Sequence, residues 1–344
     1  MTHAAYRRAI AVGLLLALGV LSACAPVPLK PEEQAALVWP DLPNPPRISF
    51  VRQFSRPDDL GIDKGFFARL GELVFGARDV RLIRPMAVLA SNGVVYVADP
   101  GANGVHRFEP KAGRHELLVG DGGLALPSPV GLALGNAGEV YVTDSERAQV
   151  LVIRPGATSA TALALPAMLQ PTGIAFDKST GNLYVADTGA HRVNVFKPDG
   201  TLAFAFGRRG DAVGEFNYPT LIWLDPAGRL YVTDSLNFRI QMFDRAGKYL
   251  SDFGQVGDGL GDNIRPKSVA ADSHGHIYVV DALHSALQIF DVAGRYLLSV
   301  GSIGGDRGEF WLPAGIFIDE NDMIYVADSY NQRVQIFRYI GGPT

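Results

Sequence analysis

Short runs in which apolar and polar residues alternate recur along this chain at a nearly constant interval. Val193-Asn194-Val195-Phe196, Ile240-Gln241-Met242-Phe243 and Val334-Gln335-Ile336-Phe337 have the period of two expected of half-buried strands. Upstream of each lies a phrase of the form Tyr-Val-x-Asp. It occurs six times, ending at Asp99, Asp144, Asp187, Asp234, Asp281 and Asp328, and the tyrosines are 45, 43, 47, 47 and 47 residues apart. Ahead of each phrase a proline (Pro85, Pro129, Pro171, Pro219, Pro266, Pro313) opens a further apolar strand. Proline suits a first strand position, where no ladder donor is required. A fourth strand is predicted over Thr201 to Phe206, Tyr249 to Phe253 and Tyr296 to Val300. Four antiparallel strands repeated at this period predict the blades of a propeller.

Two copies are specific enough to name. Asp234-Ser235-Leu236-Asn237-Phe238-Arg239-Ile240-Gln241 and Asp328-Ser329-Tyr330-Asn331-Gln332-Arg333-Val334-Gln335 resemble the NHL repeat. Phe206-Gly207 through Gly214-Glu215-Phe216 to Pro219 is similar to the connection between blades in that family. Gly254 to Pro266 and Gly301 to Pro313 have the same twelve-residue span. The resemblance covers about residues 80 to 340 and departs in the second copy, where Asp144-Ser145-Glu146-Arg147-Ala148-Gln149 lacks the Asn and Arg, and in the first and fifth. It implies an all-β fold, a six-bladed β-propeller of four-stranded antiparallel blades. The last copy ends after its third strand, and Ile48 to Phe54 has the fourth-strand pattern. This N-terminal strand is expected to close the ring and cover an edge that would otherwise invite aggregation.

One stretch does not fit the repeat. Pro85 lies 31 positions after Phe54, and Phe66, Phe67, Leu70, Leu73 and Val74 are spaced by three and four, which predicts an amphipathic helix over about 62–76. Asp63 is placed to cap it and Gly76 to end it. The stripe either packs on one propeller face or presents Phe66, Phe67, Leu70 and Val74 to a partner or membrane.

The first 23 residues read as a signal peptide: Arg7 and Arg8 precede an uncharged run, Ala9 to Leu21, too short to span a bilayer. Leu21-Ser22-Ala23-Cys24 resembles a bacterial lipobox, which implies lipidation of Cys24, the only cysteine, and anchoring to a membrane through it. Ala25 resembles the outer-membrane sorting rule, so the expected location is the cell envelope, on the outer membrane facing the periplasm in a host with two membranes. Residues 24–47 are proline-rich and are expected to form an extended tether or a disordered one, leaving 48–344 as the propeller.

The formal charge is −4, or −6 once Arg7 and Arg8 are removed (29 basic against 35 acidic), and no basic run is present. A nucleic-acid surface is therefore not expected. The six recurring aspartates could form a carboxylate ring for a cation, but a residue present in every blade is more economically structural. Aspartate accepts turn N–H groups, and Arg192, Arg239 and Arg333 lie five residues after three of them. His106, His115, His191, His274, His276 and His284 share no repeat position, so three convergent zinc ligands are not expected from them. No Gly-x-Ser-x-Gly elbow occurs. No cofactor is expected, with calcium or another divalent metal as the exception to test. The resulting expectation is a monomeric, non-catalytic binding or scaffold module for a protein or glycan partner. Because some NHL-like propellers are lyases and related ones lactonases, a metal-dependent lyase or lactonase acting at the channel is the alternative.

Overall fold

The computed structural model of the chain describes residues 36–41, 43–62 and 80–341. Cys24 and its leader lie outside these residues, as do Phe66, Phe67, Leu70, Val74 and all of the expected helix except Ile62.

Strands dominate. They are β1 (Val38–Trp39), β2 (Ile48–Phe54), β3 (Ala87–Ser91), β4 (Val94–Asp99), β5 (Gly104–Glu109), β6 (Arg114–Gly120), β7 (Pro129–Leu134), β8 (Val140–Asp144), β9 (Gln149–Ile153) and β10 (Ser159–Ala162). Next come β11 (Pro171–Phe176), β12 (Leu183–Asp187), β13 (Arg192–Phe196), β14 (Leu202–Phe206), β15 (Pro219–Leu224), β16 (Leu230–Asp234), β17 (Arg239–Phe243) and β18 (Tyr249–Phe253). The last are β19 (Pro266–Ala271), β20 (Ile277–Asp281), β21 (Ala286–Phe290), β22 (Tyr296–Val300), β23 (Ile316–Ile318), β24 (Met323–Asp328) and β25 (Arg333–Tyr339).

Three sheets contain four antiparallel strands in chain order: β11–β14, β15–β18 and β19–β22. The other two depart from that plan. β3–β6 and β7–β10 form one eight-stranded sheet, because β10 pairs with β9 through Thr161 and Ala162 and, in parallel, with β6 through Ser159 and Ala160. The small side chains of Ser159-Ala160-Thr161-Ala162 let two outer edges meet, so each covers the other. The final sheet runs β1-β2-β25-β24-β23. Here β2 pairs antiparallel with β25 from Ile48↔Tyr339 to Phe54↔Val334.

β1 corrects the reading of residues 24–47 as tether throughout. Val38 and Trp39 add a fifth strand outside β2, and the Trp39 ring meets Phe337 edge-on at 5.7 Å. The apolar Leu37-Val38-Trp39 finds a hydrophobic edge, and proline on either side of an outermost strand interrupts no central ladder.

The first strands β3, β7, β11, β15, β19 and β23 each pack on the next, and β23 returns to β3, so the inner strands close a ring around a channel. Glycine permits the closest approaches. A Cβ at Gly173 would sit 2.5 Å from the Thr220 carbonyl oxygen and 2.7 Å from the Ile222 nitrogen. Gly131 and Gly315 abut the backbone at Thr172 and Met86 in the same way. Apolar clusters fill the wedges between sheets; one gathers Tyr184, Val193, Phe216, Ile222, Val232 and Phe243.

The tyrosine of the repeated phrase serves this packing and a hairpin at once. The Tyr184, Tyr231 and Tyr278 rings are fully buried. The Tyr231 and Tyr278 hydroxyls donate to Asp225 (3.3 Å) and Asp272 (2.9 Å) in the turns joining first and second strands, and Tyr325 reaches Asp319 (3.2 Å). A buried phenol needs such a partner. Burial pushes the Tyr184 phenol up to about 12, and the others also rise.

Candidate functional site

The six aspartates are all fully buried. Each turns to the connection that enters its own sheet. Asp99 accepts from the N–H groups of Ile83 (2.7 Å) and Arg84 (2.9 Å), Asp187 from Leu169 (3.0 Å) and Gln170 (2.8 Å), and Asp281 from Ile264 (2.7 Å) and Arg265 (2.9 Å). Asn217 (2.7 Å), Trp311 (2.8 Å) and Ser128 (3.3 Å) donate to Asp234, Asp328 and Asp144. Burial raises the Asp99 carboxyl, but the side-chain partner His106 and these N–H donors outweigh it and leave it below the ordinary range. At Asp328 burial prevails and the carboxyl stays above that range.

The three arginines differ. Arg333 spends every donor: Nε on Asp328 (2.7 Å) and its two terminal nitrogens on Gln53, Gly305, Asp306 and Glu309 (2.8–2.9 Å). Arg239 reaches Asp234 (3.0 Å), Asp252 (3.2 Å) and the Ala212 and Glu215 carbonyls. Arg192 comes only within 3.9 Å of Asp187 and is 42% exposed. It makes no hydrogen bond to Asp187, so of the three pairs the one at Arg192 is a long ion pair and the other two are hydrogen-bonded.

The residue after each aspartate went unread in the sequence. Ser145, Thr188 and Ser235 donate to the carbonyls of Pro171 (2.6 Å), Pro219 (2.5 Å) and Pro266 (2.7 Å), each in the next sheet. A hydroxyl following Tyr-Val-x-Asp is the available signal, and it occurs at Ser329 as well, which approaches Met86. These bonds latch neighbouring sheets at one end of the channel.

The channel has two unlike mouths. At the hairpin end, a cavity of about 450 Å³ has apolar walls that include Leu134, Phe176, Trp223 and Phe317. Trp223 and Phe317 face each other at 5.6 Å. Several acids at its rim are engaged in their turns: Asp177 with Ser179, Thr180 and Arg245, Asp225 with Arg229, Asp272 with His276. At the connection end, a cavity of about 420 Å³ is lined by Ser128, Gln170, Thr172, Tyr218, Arg265 and Lys267, together with the latch hydroxyls. No carboxylate lines it. Burial, then Arg265, holds the Lys267 amine below its ordinary range. Tyr218 in its lining is exposed, as are Leu169, Leu283, Trp311 and Tyr330 in the connections and turns at the same end of their sheets, and the Trp311 and Tyr330 rings stand 5.8 Å apart.

The histidines are dispersed. His106 and His115 pair at 2.9 Å within the β3–β6 half-sheet, with His106 Nε2 3.6 Å from Asp99. His274 and His276 flank Tyr339, and His191 lies against Tyr218. Among the described residues no group of three or more His, Cys, Asp or Glu is placed to hold a metal ion.

Comparison with known proteins agrees with this architecture. Residues 126–153 and 168–196 match the NHL repeat, and residues 268–340 match a family described as a 6-bladed beta-propeller. The chain therefore carries NHL-repeat matches within a β-propeller fold. A curated relative, the human (Homo sapiens) E3 ubiquitin-protein ligase NHLRC1, is 38% identical over 52 residues, 15% of this chain and 13% of that protein. The match thus spans a small part of that relative's length. Virginiamycin B lyase from Staphylococcus aureus superposes with a TM-score of 0.55 at 15% identity, over 75% of this chain and 95% of that one. An auxiliary nutrient binding protein from Bacteroides thetaiotaomicron superposes at 0.60 with 14% identity, over 76% and 71%. At these identities the likeness is one of fold.

Proposed function

We propose that this protein is a lipid-anchored, non-catalytic binding module of the cell envelope, held through Cys24 and capturing a glycan or protein partner on the connection face. In this reading the two halves of the eight-stranded sheet count separately, giving six blades closed by the N-terminal strand. The observation that carries the proposal is the pairing, at the connection mouth, of polar groups that lack side-chain partners with exposed aromatic and aliphatic side chains. The Gln170 amide, the Tyr218 phenol and both basic groups make no side-chain hydrogen bond or ion pair with another described residue. Polar groups converging in a cavity, rimmed by apolar side chains, suit ligand capture. A glycan fits this mixture best, and the similar fold of a nutrient binding protein is consistent with it.

The test is a glycan microarray probed with the full chain and with Trp311→Ala and Tyr330→Ala variants. Aromatic anchors at an interface commonly contribute about 1–2 kcal/mol or more, so each variant should weaken retention at least several-fold. Equal retention by all three proteins would remove this face from the proposal. For the anchor, Cys24→Ala should move the protein from the membrane fraction to the soluble one.

The fold shared with virginiamycin B lyase keeps the metal-dependent lyase or lactonase as a second reading. Elemental mass spectrometry of protein purified without chelator separates them: a stoichiometric transition metal would favour the enzyme, and calcium would call for lactonase assays on both metal-loaded and stripped protein.

A further inference from the structure

We infer that the connection mouth takes an acidic oligosaccharide, holding a sugar carboxylate between Lys267 and Arg265. The inference rests on the binding-module reading and narrows its ligand. Lys267 follows Pro266 directly, and the corresponding positions in the other sheets are Met86, Val130, Thr172, Thr220 and Ala314. A single cation therefore interrupts an otherwise neutral ring at the channel mouth. Arg265, on the other side of Pro266, is exposed at the same mouth.

Neither side chain has a carboxylate partner among the described residues, although the chain as a whole is acidic, with a formal charge of −4. Two like charges in a cavity without a counter-ion oppose each other's ionised form, and a bound anion relieves that opposition. Guanidinium and ammonium together match a carboxylate, the first by its planar fork and the second as a point charge.

The surrounding wall selects a sugar over a bare anion. Ser145 and Ser235 commit their protons to the next sheet's carbonyls, so their oxygens offer lone pairs to ligand hydroxyls, whereas the Thr188 oxygen already accepts from Thr172. Gln170 supplies both a donor and an acceptor. The cavity of about 420 Å³ falls within the size range of small-molecule sites.

Isothermal titration of the full chain with trigalacturonate, and with the same trisaccharide as its uncharged methyl ester, tests the inference. The acid should bind at least 10-fold more tightly than the ester, equivalent to about 1.4 kcal/mol. Lys267→Met should reduce acid affinity to that of the ester without affecting the ester, and Arg265→Gln should give a smaller loss. Both side chains lack partners, so circular dichroism and urea midpoints of the variants should match the parent. Equal affinity for acid and ester, or an unaltered Lys267→Met, overturns the carboxylate assignment while leaving the binding module intact. Inorganic phosphate binding in place of the trisaccharide also overturns it, since the hydroxyl wall would then play no part. If no glycan of either charge binds and the microarray is blank, the glycan reading itself fails.

Discussion

Replacing the three repeat arginines one at a time by methionine should give three distinct losses of stability, although sequence alone makes them equivalent. Arg333 is 6% exposed, makes five hydrogen bonds, and ties Asp328, the 305–309 connection and Gln53 of the N-terminal strand together. Its removal takes the one cationic partner from a buried carboxylate that already lies above its ordinary range, and leaves the Gly305 carbonyl without a donor. Breaking a buried pair from one side costs about 3–5 kcal/mol. Arg239, 12% exposed, has similar but looser contacts, so about 2–3 kcal/mol is expected. Arg192 is 42% exposed with a contact of 3.9 Å, which places it with surface pairs at about 0–1 kcal/mol. Urea unfolding followed by tryptophan fluorescence and circular dichroism would measure all three. The midpoints should fall in the order Arg333, Arg239, Arg192, with an unchanged slope for the last. Equal losses, or a tolerated Arg333→Met, would refute the view that these side chains act through the connections they hold. The lysine variant of Arg333 should recover little, because one ammonium cannot reach five separate acceptors.

Other outcomes follow from the same geometry. Gly173→Ala should destabilise by about 2–3 kcal/mol, since its methyl would collide with backbone rather than a side chain that can turn away; a parental urea midpoint would show that the inner strands have room to part. Thr188→Val removes the latch from β12 to the Pro219 carbonyl, and a loss of about 1–2 kcal/mol by urea unfolding is expected, whereas Thr188→Ser should lose little. His115 is held down to about 4 by burial, then by the neighbouring His106, against 6.5 when unfolded. The unfolded chain therefore binds the extra proton between those values, so this contribution is full above pH 6.5 and lost as pH falls toward 4. Half-exposure discounts it to about 1–2 kcal/mol, and His115→Gln should flatten the stability–pH curve in that window if the pairing is correct.

The chain's periodicity was enough to place nearly every strand and to assign Ile48 to Phe54 beside the last one. Alternation and turn residues are local properties, and a repeat states them six times. The aspartate of each phrase could likewise be read as a turn acceptor, because its carboxyl serves groups in its own sheet. The sequence placed Arg333 and Arg192 at the same repeat position; what separates them is the set of carbonyl acceptors that the 305–309 connection brings to Arg333. Leu37 to Trp39 was hidden by the prolines around it, since only the hydrophobic flank of β2 gives that short run somewhere to pack. The joining of β6 to β10 depends on two edges meeting, which no single repeat can signal.

The candidate site lies at the far end of the same scale. Lys267 and Arg265 stand beside an ordinary strand-opening proline, and nothing local distinguishes them from solvated surface charges. Closing the inner strands into a ring sets them among hydroxyls from other sheets, with no carboxylate of the described residues beside them, and gives the opposite mouth apolar walls with an acidic rim. Local patterning therefore determined the strands and their order. Long-range closure decided which side chains share a mouth, because that depends on sheets more than a hundred residues apart meeting around one axis.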